Sequence, residues 1–347
     1  MVRSFKALVL LLVIAAVPAC SETSGSSGAR IVERTFTSMG SELNLKAWTA
    51  NEAATVAAFE EVANEFDRLE GLMSTWREHS EIQELNRAAG KHPVRVGTEL
   101  RSLLTTANQV SEWTGGKFDV TFGVMSGLWK FDYQNKDDTI PDPAEVARRR
   151  KLINYRDLIV DESAGTAFLR RDGMSASLGG IGKGYAVDRA REILLKHGFH
   201  DFIIQFGGDM YVAGHEGDRS WRVGIQDPRG PKNRIFASME LSDSTFSTSG
   251  DYERFFIKNG RRYHHILDPA TGEPATGCRS VTIIANSATI ADGLSKGIFI
   301  LGPEAGMALV ERLPGIQAVM VTDKNKVLVS SGLKGRLMLL APPTDAP

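Results

Sequence analysis

From Asn51 to Met73, apolar residues recur at Phe59, Val62, Phe66, Leu69 and Met73, in steps of three and four. That spacing lines one face of a helix, so it predicts a long amphipathic helix with a buried stripe. Leu100, Leu103, Leu104, Ala107 and Val110 predict a second. The period then shortens. Phe202-Ile203-Ile204, the alternating Trp221, Val223 and Ile225, then Ser280 to Ile284 and Ala318 to Val321 are short runs that predict strands. Between the last two, helical patterns fall at 288–300 and 303–313. Helices and strands mixed without strict βα alternation predict an α+β fold, with mixed or antiparallel sheets and packed helices. The chain carries no fixed-period repeat and no heptad array.

The chain opens differently. Arg3 and Lys6 precede an apolar run from Ala7 to Ala16, and Val17-Pro18-Ala19 leads to Cys20. This is the layout of a secretory signal, too short to remain as a spanning helix. Residues 21–30 are small and polar, the composition of a flexible tether. The boundaries read from this are a signal over 1–19, a tether over 20–30 and one domain over 31–347.

Composition narrows the function. Hydrophobic residues make up 42% of the chain, ample for a large core, and Cys20 and Cys278 are the two cysteines, too few for a disulfide framework. A formal net charge of −1 provides no field for nucleic acid, so partners must be recognised at local sites.

Candidate chemistry gathers in four segments. Gly179-Gly180-Ile181-Gly182-Lys183-Gly184 leads directly into an apolar-periodic helix at Ala186, Ala190, Ile193 and Leu194. Uncovered backbone N–H groups at a helix N-terminus, with a lysine beside them, suit a phosphate or pyrophosphate, although such a turn is also a common tight connection. Lys183 is not followed by Ser or Thr, so the segment is not a Walker loop. Gly207-Gly208-Asp209 ends a predicted strand, either as a ligand approach or as a plain turn. His264 and His265 are adjacent, so on a strand they face opposite ways; one of them near an alcohol or phosphate would serve as general base, and a core histidine is the plainer alternative. Asp292 and Ser295 share a face of the predicted apolar helix 288–300. A carboxylate in that setting needs a cation, either Mg²⁺ or Lys296 one turn on.

Taken in order, these segments resemble the ApbE family, the FAD:protein FMN transferases once called thiamine biosynthesis lipoproteins. The resemblance runs through Ser38-Met39-Gly40, Met73-Ser74-Thr75-Trp76, Gly116-Lys117-Phe118-Asp119, Gly179 to Asp188, Gly207-Gly208-Asp209, Thr248-Ser249-Gly250-Asp251, His264 to Gly272 and Ala291-Asp292. It implies a flavin transferase that cleaves FAD and joins FMN through a phosphoester to a Thr or Ser of an exported acceptor protein, releasing AMP. By the same resemblance, His265 and Asp292 are catalytic, and Met39, Trp76, Lys117, Phe118, Asp119, Ser177, Lys183 and Leu267 contact FAD. Gly180, Asp292 and Ser295 would hold Mg²⁺. Separately, Val17, Ala19 and Cys20 resemble the lipobox of bacterial lipoproteins, so Cys20 would carry lipid and anchor the protein at the periplasmic face of a bacterial membrane, an ordinary cleaved signal with an incidental Cys20 being the alternative. Alternatives are a pyrophosphatase giving FMN and AMP, or a tethered flavin binder without catalysis.

The sequence departs from the family pattern at three positions. Ser177 stands where the family usually has Asp, Trp76 where it has Tyr, and Lys296 where it has the Thr four residues after the metal Asp. Lys296 therefore either swings away from the metal or takes its place.

Overall fold

The computed structural model describes residues 28–131 and 139–346; the predicted signal and Cys20 lie outside them. Seven helices punctuate the described chain: α1 (Glu52–Met73), α2 (Glu81–Arg87), α3 (Thr98–Trp113), α4 (Pro143–Arg150), α5 (Gly182–Lys196), α6 (Ala288–Leu301) and α7 (Pro303–Val310). No described helix is long and apolar enough to cross a membrane.

The frame is an eight-stranded sheet whose strands stand side by side in chain order. They are Arg30–Ser38, Ser41–Thr49, Phe202–Phe206, Asp209–Ala213, Ser244–Gly250, Cys278–Ala285, Gln317–Thr322 and Val327–Val329, each antiparallel to the next. The first pair is closed by Met39-Gly40, with φ of 46° and 67°. Positive φ at both positions is the hairpin turn whose twist matches its strands. Glycine adopts it freely, whereas Met39 does so against its side chain.

Alternation along the central strands explains how both faces of the sheet are used. Ile283, Ala318 and Met320 join the core beneath the helices, together with Phe59, Phe66, Leu194 and Leu294. Their neighbours Ile284, Val319 and Val321 point the other way. There they meet Trp221, Val223, Ile225, Phe236 and Met239 from a four-stranded sheet that includes Arg219–Gln226 and Ile235–Leu241. Strands buried on both faces lose the polar alternation of a surface sheet, which is why 280–284 and 318–321 read as continuous apolar runs.

Two helices carry the site, and their contact is unusually close. A Cβ built on Gly184 would fall 2.1 Å from the Ala288 carbonyl oxygen and 2.6 Å from Asp292 Cβ, so only glycine lets the start of α5 cross α6 here. Asp188, one turn further along α5, accepts from Ser287 Oγ (2.8 Å), the Ala288 and Thr289 backbone N–H groups (2.8 and 2.9 Å) and Thr289 Oγ1 (2.6 Å). One carboxylate thus satisfies the free donors at the N-terminus of α6 and fixes that helix against α5.

Candidate functional site

The hairpin tip 39–40, the turn 207–208, the glycine turn into α5 and one flank of α6 converge at one end of the main sheet. The helix begins at Gly182, so Lys183 and Gly184 belong to its first turn. Lys183 Nζ donates to Ser41 Oγ at 2.7 Å, and a Cβ on Gly207 would lie 3.2 Å from that nitrogen. Burial lowers the Lys183 pKa, while the Asp209 charge works in the opposite direction. Asp209 is itself buried and accepts from Ser247 Oγ at 2.5 Å. The strand predicted at 202–204 runs to Phe206, and Gly207-Gly208 is a hairpin turn. Gly208 there leaves no room for a Cβ, which would sit 2.5 Å from the Thr248 carbonyl oxygen.

Asp292 is fully buried. One of its oxygens accepts from the Gly184 N–H at 2.9 Å; the other takes the Lys296 ammonium in an ion pair within α6. Ser295 Oγ is also engaged, with Ser249 Oγ at 2.7 Å and the Asp292 carbonyl at 2.8 Å. The Lys296 side chain is 25% exposed, with its stem packed in the site. Burial pulls its ammonium down to about 8, and Asp209 opposes that shift. Contact with Asp292 favours the charged form further, so Lys296 is a cation at neutral pH.

The two histidines separate as their adjacency predicts. His264 ends the strand Arg261–His264 and is buried, with Nε2 2.9 Å from the Ala275 carbonyl and its ring edge-on to Phe299. His265 lies just past the strand and is exposed, with Nδ1 3.3 Å from the Arg254 carbonyl. Although the residue is exposed, protein packed around the ring, then the neighbouring His264, Arg254 and Lys296, shift its pKa below the usual histidine range, and solvent screens part of that shift. A neutral imidazole is the form that accepts a proton.

The other predicted contact residues fall in four settings. Trp76, 89% exposed, lines a cleft of about 210 Å³ with Ser177, Thr75, Gln83, Gly123, Ser126 and Ser175. The core residue at the end of the first helix is instead Met73, whose sulfur would lie 3.3 Å from a Cβ on Gly182. Phe118 is buried under the glycine turn, 3.1 Å from the Cβ position of Gly180. Lys117 Nζ reaches Asp268 at 2.8 and 3.0 Å, which ties this loop to the segment after His265. Leu267 is buried with Trp129 and Phe256 in a small aromatic cluster.

Asp119 has its carboxylate committed to the fold. It accepts from Thr121 N (2.8 Å), Thr121 Oγ1 (2.6 Å) and Tyr155 N (2.8 Å), and burial raises its pKa. In this arrangement Asp119 shapes the loop that carries Lys117 and Phe118. A larger depression of about 380 Å³ runs along α1 and α5, but it is lined by charges such as Glu65, Arg68, Arg189 and Glu192 that pair with one another. None of the predicted site residues faces it.

Of the residues expected to hold Mg²⁺, Asp292 and Ser295 are engaged within the protein. Both Asp292 oxygens and the Ser295 hydroxyl have partners, and no group of three or more His, Cys, Asp or Glu among the described residues could hold a metal ion. Placing Mg²⁺ about 4 Å from an ammonium costs about 8 kcal/mol of repulsion at an effective dielectric constant of about 20.

Comparison with known proteins places this arrangement. A family model described as the ApbE family matches residues 39–320. A protein of Treponema pallidum (strain Nichols) named FAD:protein FMN transferase is 33% identical, with 96% of this chain and 95% of that protein aligned. One of the same name from Klebsiella pneumoniae (strain 342) is 31% identical over 84% of this chain and 90% of its own length. Among solved structures, the ApbE protein of Thermotoga maritima superposes with a TM-score of 0.80 at 31% identity, covering 88% of this chain and 99% of that one. The flavin transferase ApbE of Vibrio cholerae gives 0.79 at 28%, covering 89% and 99%.

Proposed function

The chain belongs to the ApbE family, and from that premise we propose that it is a flavin transferase that cleaves FAD and joins FMN to a Thr or Ser hydroxyl of an acceptor protein. The observation that carries the reading is the meeting, at one end of the sheet, of the glycine turn with its Lys183, the Asp292 face of α6 and the stretch that carries His264 and His265, three separate segments of chain. The expected row of uncovered backbone donors is not there, since the N–H groups of Gly179, Ile181 and Gly182 bond Ser177 Oγ and the Leu178 carbonyl; the Gly180 N–H and the Lys183 ammonium are the turn's donors that suit the diphosphate of FAD. Trp76, exposed at the cleft it shares with Ser177, offers a face for the flavin ring. His265 takes the acceptor proton as the new oxygen–phosphorus bond forms on the FMN phosphate and the bond to AMP breaks. Mg²⁺, which the resemblance implies, would have to displace Lys296 from Asp292 to bind there.

The acceptor is, on this reading, an exported protein, and this chain reaches it from the periplasmic face of a membrane through lipid on Cys20. That part rests on the signal, the cysteine and the polar tether.

The test incubates the protein with FAD and a Thr-containing acceptor peptide and weighs the peptide. A mass gain equal to the FMN moiety, released AMP and loss of both on His265→Ala are the expected results. Free FMN with an unmodified peptide would indicate a pyrophosphatase. Tight FAD binding without AMP would leave only a flavin binder.

A further inference from the structure

The glycine turn, Lys183 and His265 all serve the reading above, but Lys296 does not follow from it. It stands where a metal ligand is expected, and it is paired with the carboxylate that should hold the metal. We infer that Lys296 acts as a fixed cation in place of a divalent ion, so that this chain works on FAD without a metal; the inference rests on the flavin-transfer reading.

Three features carry it. Asp292 is fully buried and has no oxygen to spare, one being held by the Gly184 N–H and the other by Lys296. Asp292 and Lys296 are four residues apart on α6, so the helix itself aligns them. The helix is held in turn by Asp188 at its N-terminus and by the close approach at Gly184, so the ammonium is delivered by a rigid element. Finally, Asp292 is its one hydrogen-bond acceptor among the described residues, and an ammonium has three donors. The side chain is partly open, and Lys183 adjoins Gly184, whose N–H holds the same Asp292 carboxylate. Two ammonium groups beside a glycine turn match a diphosphate, whose charge they would neutralise as the bridging bond breaks. A metal in the same place would need oxygen ligands that are already occupied.

The experiment compares wild type with Lys296→Thr and Lys296→Met in two assays. One follows Mn²⁺ binding by the electron paramagnetic resonance of the free ion; the other follows AMP release from FAD in chelator and in Mg²⁺. Folding is checked by circular dichroism, and Lys296→Met keeps the packed stem while removing the charge. Wild type is expected to bind no Mn²⁺ and to release AMP equally in both media. Lys296→Thr should gain Mn²⁺ binding and depend on Mg²⁺, and Lys296→Met should lose about 100-fold in rate in either medium.

Stoichiometric Mn²⁺ binding by wild type, or loss of its AMP release in chelator with recovery in Mg²⁺, overturns the inference. So does a Lys296→Met enzyme with the wild-type rate. Absence of AMP in every sample overturns the flavin-transfer reading and the catalytic role of Lys296 with it, while the Mn²⁺ assay still decides what occupies the position.

Discussion

Replacing Asp188 by alanine tests how α6, and with it Asp292 and Lys296, is held in place. The carboxylate accepts four hydrogen bonds of 2.6 to 2.9 Å, two of them from the Ala288 and Thr289 backbone N–H groups. Both of those residues are buried, so the abandoned N–H groups are poorly reached by water. Losing a helix cap costs about 1 kcal/mol, and each buried donor left without a partner adds about 1 kcal/mol or more. The hydroxyls of Ser287 and Thr289 rotate to other partners and add little. The sum is about 3 kcal/mol. With an unfolding entropy of roughly 2.1 cal/mol/K per residue over about 310 residues, that lowers the midpoint by about 5 °C. Urea and thermal unfolding followed by circular dichroism measure both quantities. Asp188→Asn, which keeps an acceptor oxygen and loses the charge, should fall between the two proteins. An Asp188→Ala protein within about 0.5 kcal/mol of wild type would refute this account of the helix junction.

Four further outcomes follow from the same geometry. Gly184→Ala drives a Cβ into the Ala288 carbonyl and should cost about 3 kcal/mol, read from denaturation midpoint and soluble yield. Lys117→Met breaks the ion pair to Asp268 and should weaken FAD binding about tenfold, or about 1.4 kcal/mol, by fluorescence titration, with partial recovery in Lys117→Arg. Burial depresses the His264 pKa below its unfolded value of 6.5. Between the two values the unfolded chain binds more protons, so stability rises with pH up to about 6.5 and is lost as pH falls below it, by at most about 1.4 kcal/mol per pH unit; His264→Gln should flatten that slope in unfolding curves. Burial pushes the Cys278 thiol up to about 12, so iodoacetamide at pH 8 should leave it unmodified in the native protein and label it after denaturation, as mass spectrometry would show.

Much of the secondary structure was written in local pattern. The apolar stripe predicted over 51–73 is α1, and the patterns at 100–110 and 288–300 are α3 and α6, because a helix that buries one face must repeat its apolar residues every three or four positions. The helix pattern at 303–313 ends earlier, at Val310, the chain turning there before the strand at Gln317. The opening hairpin, α2 and α4 escaped notice. In Arg30–Ser38 exposed charges interrupt the apolar positions, and α2 and α4 are too short for periodicity to mark them. The site residues were legible mainly by family resemblance, since a glycine turn, a histidine pair and one aspartate each have ordinary explanations.

What the sequence determined by itself was the menu: which segments are helix or strand, which backbone stretches lack side chains, and which residues can carry charge or accept a proton. Which of these meet was decided by the tertiary structure, since contacts such as Lys183 with Ser41, Gly184 with Asp292 and Lys117 with Asp268 span more than a hundred residues of chain. The pairing of Asp292 with Lys296 was open to either outcome from spacing alone. Burial closed it, because a carboxylate removed from water must have a counter-charge and donors at hand, and the crossing of α5 over α6 leaves it the Gly184 N–H and the Lys296 ammonium.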